Sequence, residues 1–367
     1  MPDQVARPAS VDELAETMRE TSGTVRVRGG GSKWSWGADG GEADTVVETS
    51  ALDTIVEHAA GDLVVTAQAG VRLADLQATL GAAGQWLALD PPEPDATVGG
   101  VVATATSGPH RLRYGTPRDL LIGVTVVLAD GTVARSGGKV VKNVAGYDLG
   151  KLFTGSFGTL GVLAECTFRL HPVARARRVV TVETDDPAPL VRDLLRSPLE
   201  PVALEWDGSG VHAVFETVEP AADAQAQALL SLAGTGTVSD ALPEGFGGRP
   251  WRPGDVAVKV THRLSALSAA LDAVRRRLPQ SRVRAHAGSG VLYAGWPAGG
   301  DVAPAIEGLR ADAADHDGTV VVVDAPADVK RTLDVWGPVR GLAVMHRIKE
   351  QFDPERRMSP GRFVGGI

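Results

Sequence analysis

The sequence predicts an α+β fold in two parts, and three observations carry that expectation. The first half alternates short β-branched runs with tight turns. The second half runs strand–helix–strand–strand–helix–strand about twice, the order of an antiparallel sheet covered by helices. Three loops rich in glycine and small hydroxyl residues interrupt the strands of the first half.

In chain order, "TVRVRG" alternates and ends in glycine, so it predicts a strand entering a tight loop. "DTVVETS" predicts another strand, and Asp53 is placed to cap a short helix over "TIVEHAA". "LVVTAQAG" predicts a strand. "RLADLQATLGAAG" has helical spacing at Leu73, Leu76 and Leu80 and stops at glycine. "LLIGVTVVLADGTVARSG" predicts a hairpin turning at Asp130–Gly131. "TLGVLAECTFRLHPV" predicts a long strand ending near Pro172.

Beyond Pro172 come strand "RRVVTVET", helix "APLVRDLLRS", hairpin "PVALEWDGSGVHAVFE" and helix "AADAQAQALLSLA". A Gly/Pro-rich stretch separates these from strand "VAVKVTH", helix "LSALSAALDAVRRRL", strands "SRVRAHAG" and "GVLYAGWP", helix "APAIEGLRADAADH" and strand "GTVVVVDAP". The tail is an amphipathic helix, then "FDP", then a Pro–Gly turn that predicts packing back onto the body. The expected division is 1–172, 173–340 and a returning segment 341–367.

Composition narrows the function. Across 367 residues, 37 basic face 45 acidic side chains, a formal charge of −8. That balance, without Lys/Arg runs, argues against nucleic acid as a partner. The apolar runs fall short of the roughly 20 residues needed to span a bilayer, and the N-terminus lacks a signal-peptide pattern. A cytoplasmic protein without direct membrane insertion is expected. The single cysteine, Cys166, excludes an internal disulfide, and its strand context predicts a buried thiol.

Three segments carry chemistry. "RVRGGGSKWSWG" sets Gly29, Gly30 and Gly31 directly after a strand, either an anion nest suited to a pyrophosphate or an ordinary hairpin turn. It is not a nicotinamide fingerprint, since no helix opens after it with G-x-G-x-x-G spacing. "DPPEPDATVGGVVATATSGPHRLRYG" combines a stiff Pro91–Pro92 start, the Gly99–Gly100 pair and the hydroxyls of Thr104, Thr106 and Ser107. It fits a phosphate and ribityl chain, or a small-residue packing loop. "GGKVVKNVAGYDLGKLFTGSFGTLGVLAE" offers Lys142 and Asn143 beside a Gly–Tyr–Asp turn, a helix that Asp148 can cap, and backbone amides facing a flat ligand.

The order of these segments resembles the FAD-binding domain of the vanillyl-alcohol oxidase and p-cresol methylhydroxylase superfamily. "RGGGSK", "KNVAGYDLGKLFTGSFGTLGVL" and "FDPERRMSPGRF" are most similar to the accessory FAD-binding subunits of bacterial glycolate oxidases. The resemblance runs along nearly the whole chain, loosest between about Val179 and Arg282. It implies a two-part FAD-binding domain plus a cap domain with an antiparallel sheet covered by helices. By the resemblance, Gly29, Gly30, Gly31, Ser32 and Lys33, with Thr97, Val98, Gly99 and Gly100, wrap the pyrophosphate. Thr104, Ser107, Gly108, Tyr114 and Gly115 line the ribityl chain and ring. Gly158, Leu160, Gly161 and Val162 meet adenine or flavin, and Arg362 closes over the ring edge. Arg28, Pro91, Asp119 and Asn143 complete the implied cofactor set. Relatives often carry Asn at Ser359 and Glu at Phe157. Those that attach flavin covalently use a His in the glycine loop or a Cys in the second segment. Ser32 and small residues stand there instead, which implies dissociable FAD.

"HAGSGVLY", His286 to Tyr293, resembles H-x-G-D-G-N-x-H, the signature with which relatives oxidising 2-hydroxy acids bind a divalent metal. Ser289, Val291 and Tyr293 replace the acid, the Asn and the second His. A tyrosine is a poor ligand, since its phenol ionises only near roughly pH 10. No metal is expected. His110, Tyr293 and His346 remain candidate acid–base groups.

Three functions are compatible with these features. One is an FAD-binding subunit of a glycolate oxidase–like complex, beside a catalytic flavin subunit and an iron–sulfur subunit. Another is a stand-alone, metal-free FAD oxidoreductase. The third is a flavoprotein whose FAD is purely structural.

Overall fold

The computed structural model describes residues 4–138, 148–297, 299 and 301–367 of the chain. Two compact units emerge. The first gathers residues 1–107, 115–173 and 338–367; the second gathers 108–114 and 174–337.

The first unit holds two larger sheets. Gln4–Ala6, Thr45–Glu48 and Val25–Arg28 form a parallel three-stranded sheet in that order. Ile55–Ala59, Val64–Gln68, Val162–Arg169, Leu121–Val127 and Val133–Gly137 form an antiparallel five-stranded sheet. Helix Val11–Glu20 starts at Ser10, whose side chain accepts from the Glu13 amide at 3.1 Å. Its apolar face, Leu14, Ala15 and Met18, joins Val25, Val47, Val127, Val162 and Met358 in one core. The parallel sheet and the long antiparallel strand therefore share apolar contacts, which fixes the loops leaving them.

The C-terminal segment locks into this unit. The Val25 amide donates to the Arg357 carbonyl at 2.7 Å, and the Ser359 amide to the Val25 carbonyl at 2.8 Å. Behind them, the buried Lys349 ammonium donates to Asp353 at 2.7 Å and to the carbonyls of Thr159 and Met358 at 2.7 and 2.8 Å. The return of the tail is thus specified by polar bonds as well as by Met358.

The second unit contains an eight-stranded antiparallel sheet. Its spatial order is Thr237–Ser239, Ala176–Glu183, Gly210–Thr217, Ala203–Trp206, Arg282–His286, Val291–Trp296, Val256–Thr261 and Thr319–Asp324. Numbered within each strand–helix–strand–strand–helix–strand repeat, that order reads 4-1-3-2 followed by 2-3-1-4. The two copies abut through their second strands, joined at the pair Trp206–Ala285. The repeated element order seen in the sequence is therefore realised as a palindrome of strands.

Two local expectations fail. "TIVEHAA" is a strand, Ile55–Ala59, because Thr54, Ile55 and Val56 are β-branched and the segment pairs with Val64–Ala67 through Ile55, Glu57, His58 and Ala59. His58 sits on that strand, its Nε2 2.9 Å from Gln85 Oε1. The Gly99–Gly100 stretch is not a loop but part of helix Val98–Thr104. Thr97 caps it, accepting from the Gly100 amide at 3.3 Å, and the cap outweighs the low helix propensity of two glycines.

Candidate cofactor-binding site

A cleft opens in the first unit, where three chain segments and the C-terminal tail meet. The glycine loop leaves strand Val25–Arg28 and supplies Arg28, Gly29, Gly30, Gly31, Ser32 and Lys33. The capped helix supplies Thr97, Gly99, Gly100 and Thr104. The turn before the long strand supplies Gly158 and Gly161, and the tail supplies Arg362.

Close backbone approach explains the glycines. A Cβ at Gly29 would lie 2.5 Å from Thr97 Oγ1, one at Gly30 2.1 Å from the Asp95 carbonyl oxygen, and one at Gly99 2.7 Å from Ala69 Cβ. Gly31 is different: φ is +77° and nothing lies within 4 Å of its missing Cβ. The loop then turns back twice, Trp34 donating to Gly31 and Trp36 to Lys33. Among the described residues, the amides of Gly30, Gly31 and Ser32 have no backbone partner. Such a run of amides on a glycine turn is an anion cradle. The amides opening the helix are already used, Val98 donating to Val71 at 2.9 Å and Gly99 to Ala69 at 2.8 Å. The anion-binding capacity therefore rests with the glycine loop.

Cations surround that loop. Arg26 stacks over Trp34 at 4.1 Å and donates to its carbonyl at 2.7 Å, while Arg28 lies 5.5 Å from the same ring. Arg28 also pairs with Glu48. The buried Lys33 ammonium points to Glu93 at 3.0 Å, so it contributes charge to the wall rather than a free hand to a ligand. Arg362 is buried and donates to the carbonyls of Lys33, Trp36, Trp34 and Phe157. Burial, reinforced by Arg26, brings its pKa down to about 9, which still leaves it charged at neutral pH. Phe157 stacks on Phe363 at 5.7 Å and holds φ of +56°, offering a flat apolar wall. One buried hydroxyl near the cleft, Ser359 Oγ, lacks a hydrogen-bond partner among the described residues, whereas Ser107, also orphaned, is not among the residues that line it. Ser359 Oγ lies beside Gly158. An orphaned hydroxyl and a run of amides without backbone partners around a cationic cleft fit a large phosphate-bearing ligand.

Other sequence candidates lie elsewhere. Val98, Leu160 and Val162 are core residues, and Pro91 is outside the cleft lining. Asp119 caps a turn, accepting from the Thr116 amide and hydroxyl at 2.8 Å, with Gly115 packed on it at φ +84°. Gly108 and Tyr114 belong to the second unit. Asn143 and Lys142 lie outside the described residues. Sequence reasoning missed Val27, Trp34, Thr49, Ala69, Ala103, Ser156 and Leu163, and treated Phe157 only as a departure. Thr49 and Ala69 each directly follow a strand, a position that the strand pattern alone marks.

Residues 2–137 match the family model described as "FAD binding domain". This part of the chain is an FAD-binding domain. It is of the p-cresol methylhydroxylase type, and the cofactor is FAD. The chain is 33% identical over 216 residues to glycolate oxidase subunit GlcD of Bacillus subtilis, covering 56% of this chain and 45% of that protein. It is 35% identical over 211 residues to a D-lactate dehydrogenase of Archaeoglobus fulgidus, covering 55% and 46%. Over 106 residues it is 44% identical to glycolate oxidase subunit GlcE of Escherichia coli, covering 28% and 30%. The matches thus span less than half the length of each relative. In fold, an alkyldihydroxyacetonephosphate synthase superposes with a TM-score of 0.70 at 16% identity, over 97% of this chain and 76% of that one. The fold likeness therefore extends along the chain where the sequence likeness stops.

None of the acid–base candidates is among the residues that line the cleft. His110 is buried in the second unit, its Nε2 3.8 Å from Glu216 Oε2 and its ring beside Tyr114 and Phe246. Burial pushes the Glu216 carboxyl up, but His110 and Arg177 bring it below its ordinary value. His346 is half-buried on helix Leu342–Phe352 near Gly365. Tyr293 is buried with its ring 5.3 Å from the edge-on ring of His286. Among the described residues, no group of three or more His, Cys, Asp or Glu side chains could hold a metal ion. Cys166 is buried on the long strand, and burial with Glu165 nearby pushes its thiol up to about 12. Among the described residues no helix is long and apolar enough to cross a membrane.

Proposed function

We propose that this chain is an FAD-binding subunit of a glycolate oxidase–like complex that oxidises a 2-hydroxy acid. In this reading it sits beside a catalytic flavin subunit and an iron–sulfur subunit, in the cytoplasm, and carries a dismantled metal-dependent site. The observation that carries the reading is the pairing of an intact dinucleotide cleft with His286 packed against Tyr293 where relatives' signature supplies metal ligands. The named relatives GlcD and GlcE are glycolate oxidase subunits, which supports the same assembly.

FAD held here supplies a group that takes up and passes on one or two electrons. The chain's own residues bind and orient it. The amides of Gly30 to Ser32 would donate to the pyrophosphate, and Arg26, Arg28 and Arg362 would offset its charge. Phe157 and Trp34 would exclude water from the bound cofactor. The hold is non-covalent, since Ser32 occupies the loop and Cys166 lies in the core. We assign 1–172 with 341–367 to the FAD-binding part and 173–340 to a cap.

The test is purification of the chain alone and together with its catalytic and iron–sulfur partners. The isolated chain should retain FAD and show negligible glycolate oxidation, while the complex turns over. Robust turnover by the isolated chain contradicts the subunit role and supports a stand-alone oxidoreductase.

A further inference from the structure

One face of the eight-stranded sheet carries charge where a covered sheet face is ordinarily apolar. Glu205, Arg284, Tyr293 and Lys259 stand on four neighbouring strands. Arg284 is directly opposite Tyr293, and Tyr293 directly opposite Lys259, so the three side chains leave the same face. Arg284 Nη1 lies 3.2 Å from Glu205 Oε2. Arg249 reaches over from the Gly/Pro-rich stretch, its guanidinium 5.1 Å from the Tyr293 ring and 5.2 Å from the Trp251 ring.

The charges do not balance. Burial pushes the Tyr293 phenol up, yet Lys259, Arg249 and Arg111 together bring it below its ordinary value. Four cations, Arg111, Arg249, Lys259 and Arg284, therefore gather near two carboxyls, the buried Glu205 and the groove-lining Asp207. Glu205 is itself a weak counter-charge, because burial raises its pKa to about 7. Its Oε1 has no hydrogen bond among the described residues. Excess positive charge at a partly desolvated place is costly unless an anion answers it. Access exists: Arg249, Trp251 and Arg284 line an open groove, with Trp206, Asp207, Arg275 and Arg282 along its walls.

We propose that this groove binds a small oxyanion, with Arg249 and Arg284 as its guanidinium donors and no metal ion. The ring contacts hold the Arg249 plane fixed, and planar guanidinium forks suit carboxylate and phosphate alike. The stretch His286–Tyr293 then reads as a site in which cationic side chains stand where a divalent metal would otherwise supply the positive charge. This inference stands apart from the flavin reading, and its test contains no flavin signal.

The test is calorimetric titration of the full chain with oxalate and with inorganic phosphate, in EDTA throughout. Saturable binding of either anion is expected, and the difference between them tells carboxylate from phosphate selectivity. Arg249→Gln and Arg284→Gln should each weaken it about tenfold or more, while the exposed Arg196→Gln leaves it unchanged. Arg249→Lys, which keeps the charge, should fall between wild type and Arg249→Gln and guards against loss through misfolding. No saturable binding of either anion overturns the proposal. So does binding undiminished in both Arg→Gln variants, or binding that appears only when EDTA is replaced by a divalent metal.

Discussion

The Arg362 guanidinium donates to the carbonyl oxygen of Lys33 at 3.0 Å, a bond between residues 329 apart in the chain. The same side chain reaches the carbonyls of Trp36, Trp34 and Phe157. One buried cation thus ties the tail to the glycine loop and to the turn before the long strand, two of the three other segments that line the cleft.

Replacing Arg362 by Met should therefore do more than remove a charge. It leaves buried carbonyls without a donor, at about 1–3 kcal/mol each where water cannot reach them. We expect a lower melting temperature and FAD lost on gel filtration. A variant with unchanged melting and full FAD content would show that the clamp has no such role.

Gly30→Ala tests the close approach of the loop to the helix cap. Its Cβ would lie 2.1 Å from the Asp95 carbonyl oxygen, a backbone atom that cannot swing away. Relief by backbone shift costs about 1–3 kcal/mol, and the displaced amides should weaken FAD binding about tenfold or more. Gly31→Ala meets no atom, so its effect comes from the φ of +77° alone and should be smaller. Fluorescence titration of the apoproteins with FAD measures both.

The strands were legible because they are β-branched and bounded by turns, and the doubled element order foretold the eight-stranded sheet. In "TIVEHAA" the preceding Asp53 suggests a helix cap, whereas the strand is decided by the pairing of Ile55 with Ala67, a partner beyond the local window. The cleft was legible through Gly29–Gly31 and Gly99–Gly100, where missing side chains mark backbone contact. Thr49, Ala69 and Leu163 carry no such mark. They reach the cleft only because their strands end or pass there, which is a property of the sheets. The cationic cluster around Tyr293 was also invisible, since Arg111, Arg249, Lys259 and Arg284 are far apart in sequence and joined only by sheet register.

Glu205 should make stability depend on pH. Its carboxyl is buried, bonded to the Gly247 amide at 2.8 Å and faced by Arg284 and Asp207. Its pKa rises from 4.5 to about 7, with burial as the largest cause. The folded state therefore holds its proton more tightly than the unfolded state. This contribution is fully present below pH 4.5 and is lost as pH rises through about 7. The loss amounts to about 3 kcal/mol. Urea denaturation of Glu205→Gln should lack that decline. An identical pH profile in wild type and variant would refute the assignment.

Cys166 should be inert. Its thiol is fully buried and pushed up to about 12, so little thiolate exists at neutral pH. An aromatic disulfide reagent should leave the native protein unmodified and titrate one thiol after unfolding. Rapid reaction of the native protein would mean that the long strand opens easily.

The central claim is that the cleft walled by the glycine loop, the Thr97-capped helix and Arg362 holds FAD without a covalent bond. Visible absorbance of the purified protein, before and after acid precipitation, tests it most directly. The account predicts a yellow protein whose flavin passes wholly into the supernatant. A folded protein that is colourless and takes up no added FAD, or a pellet that keeps its colour, would contradict it.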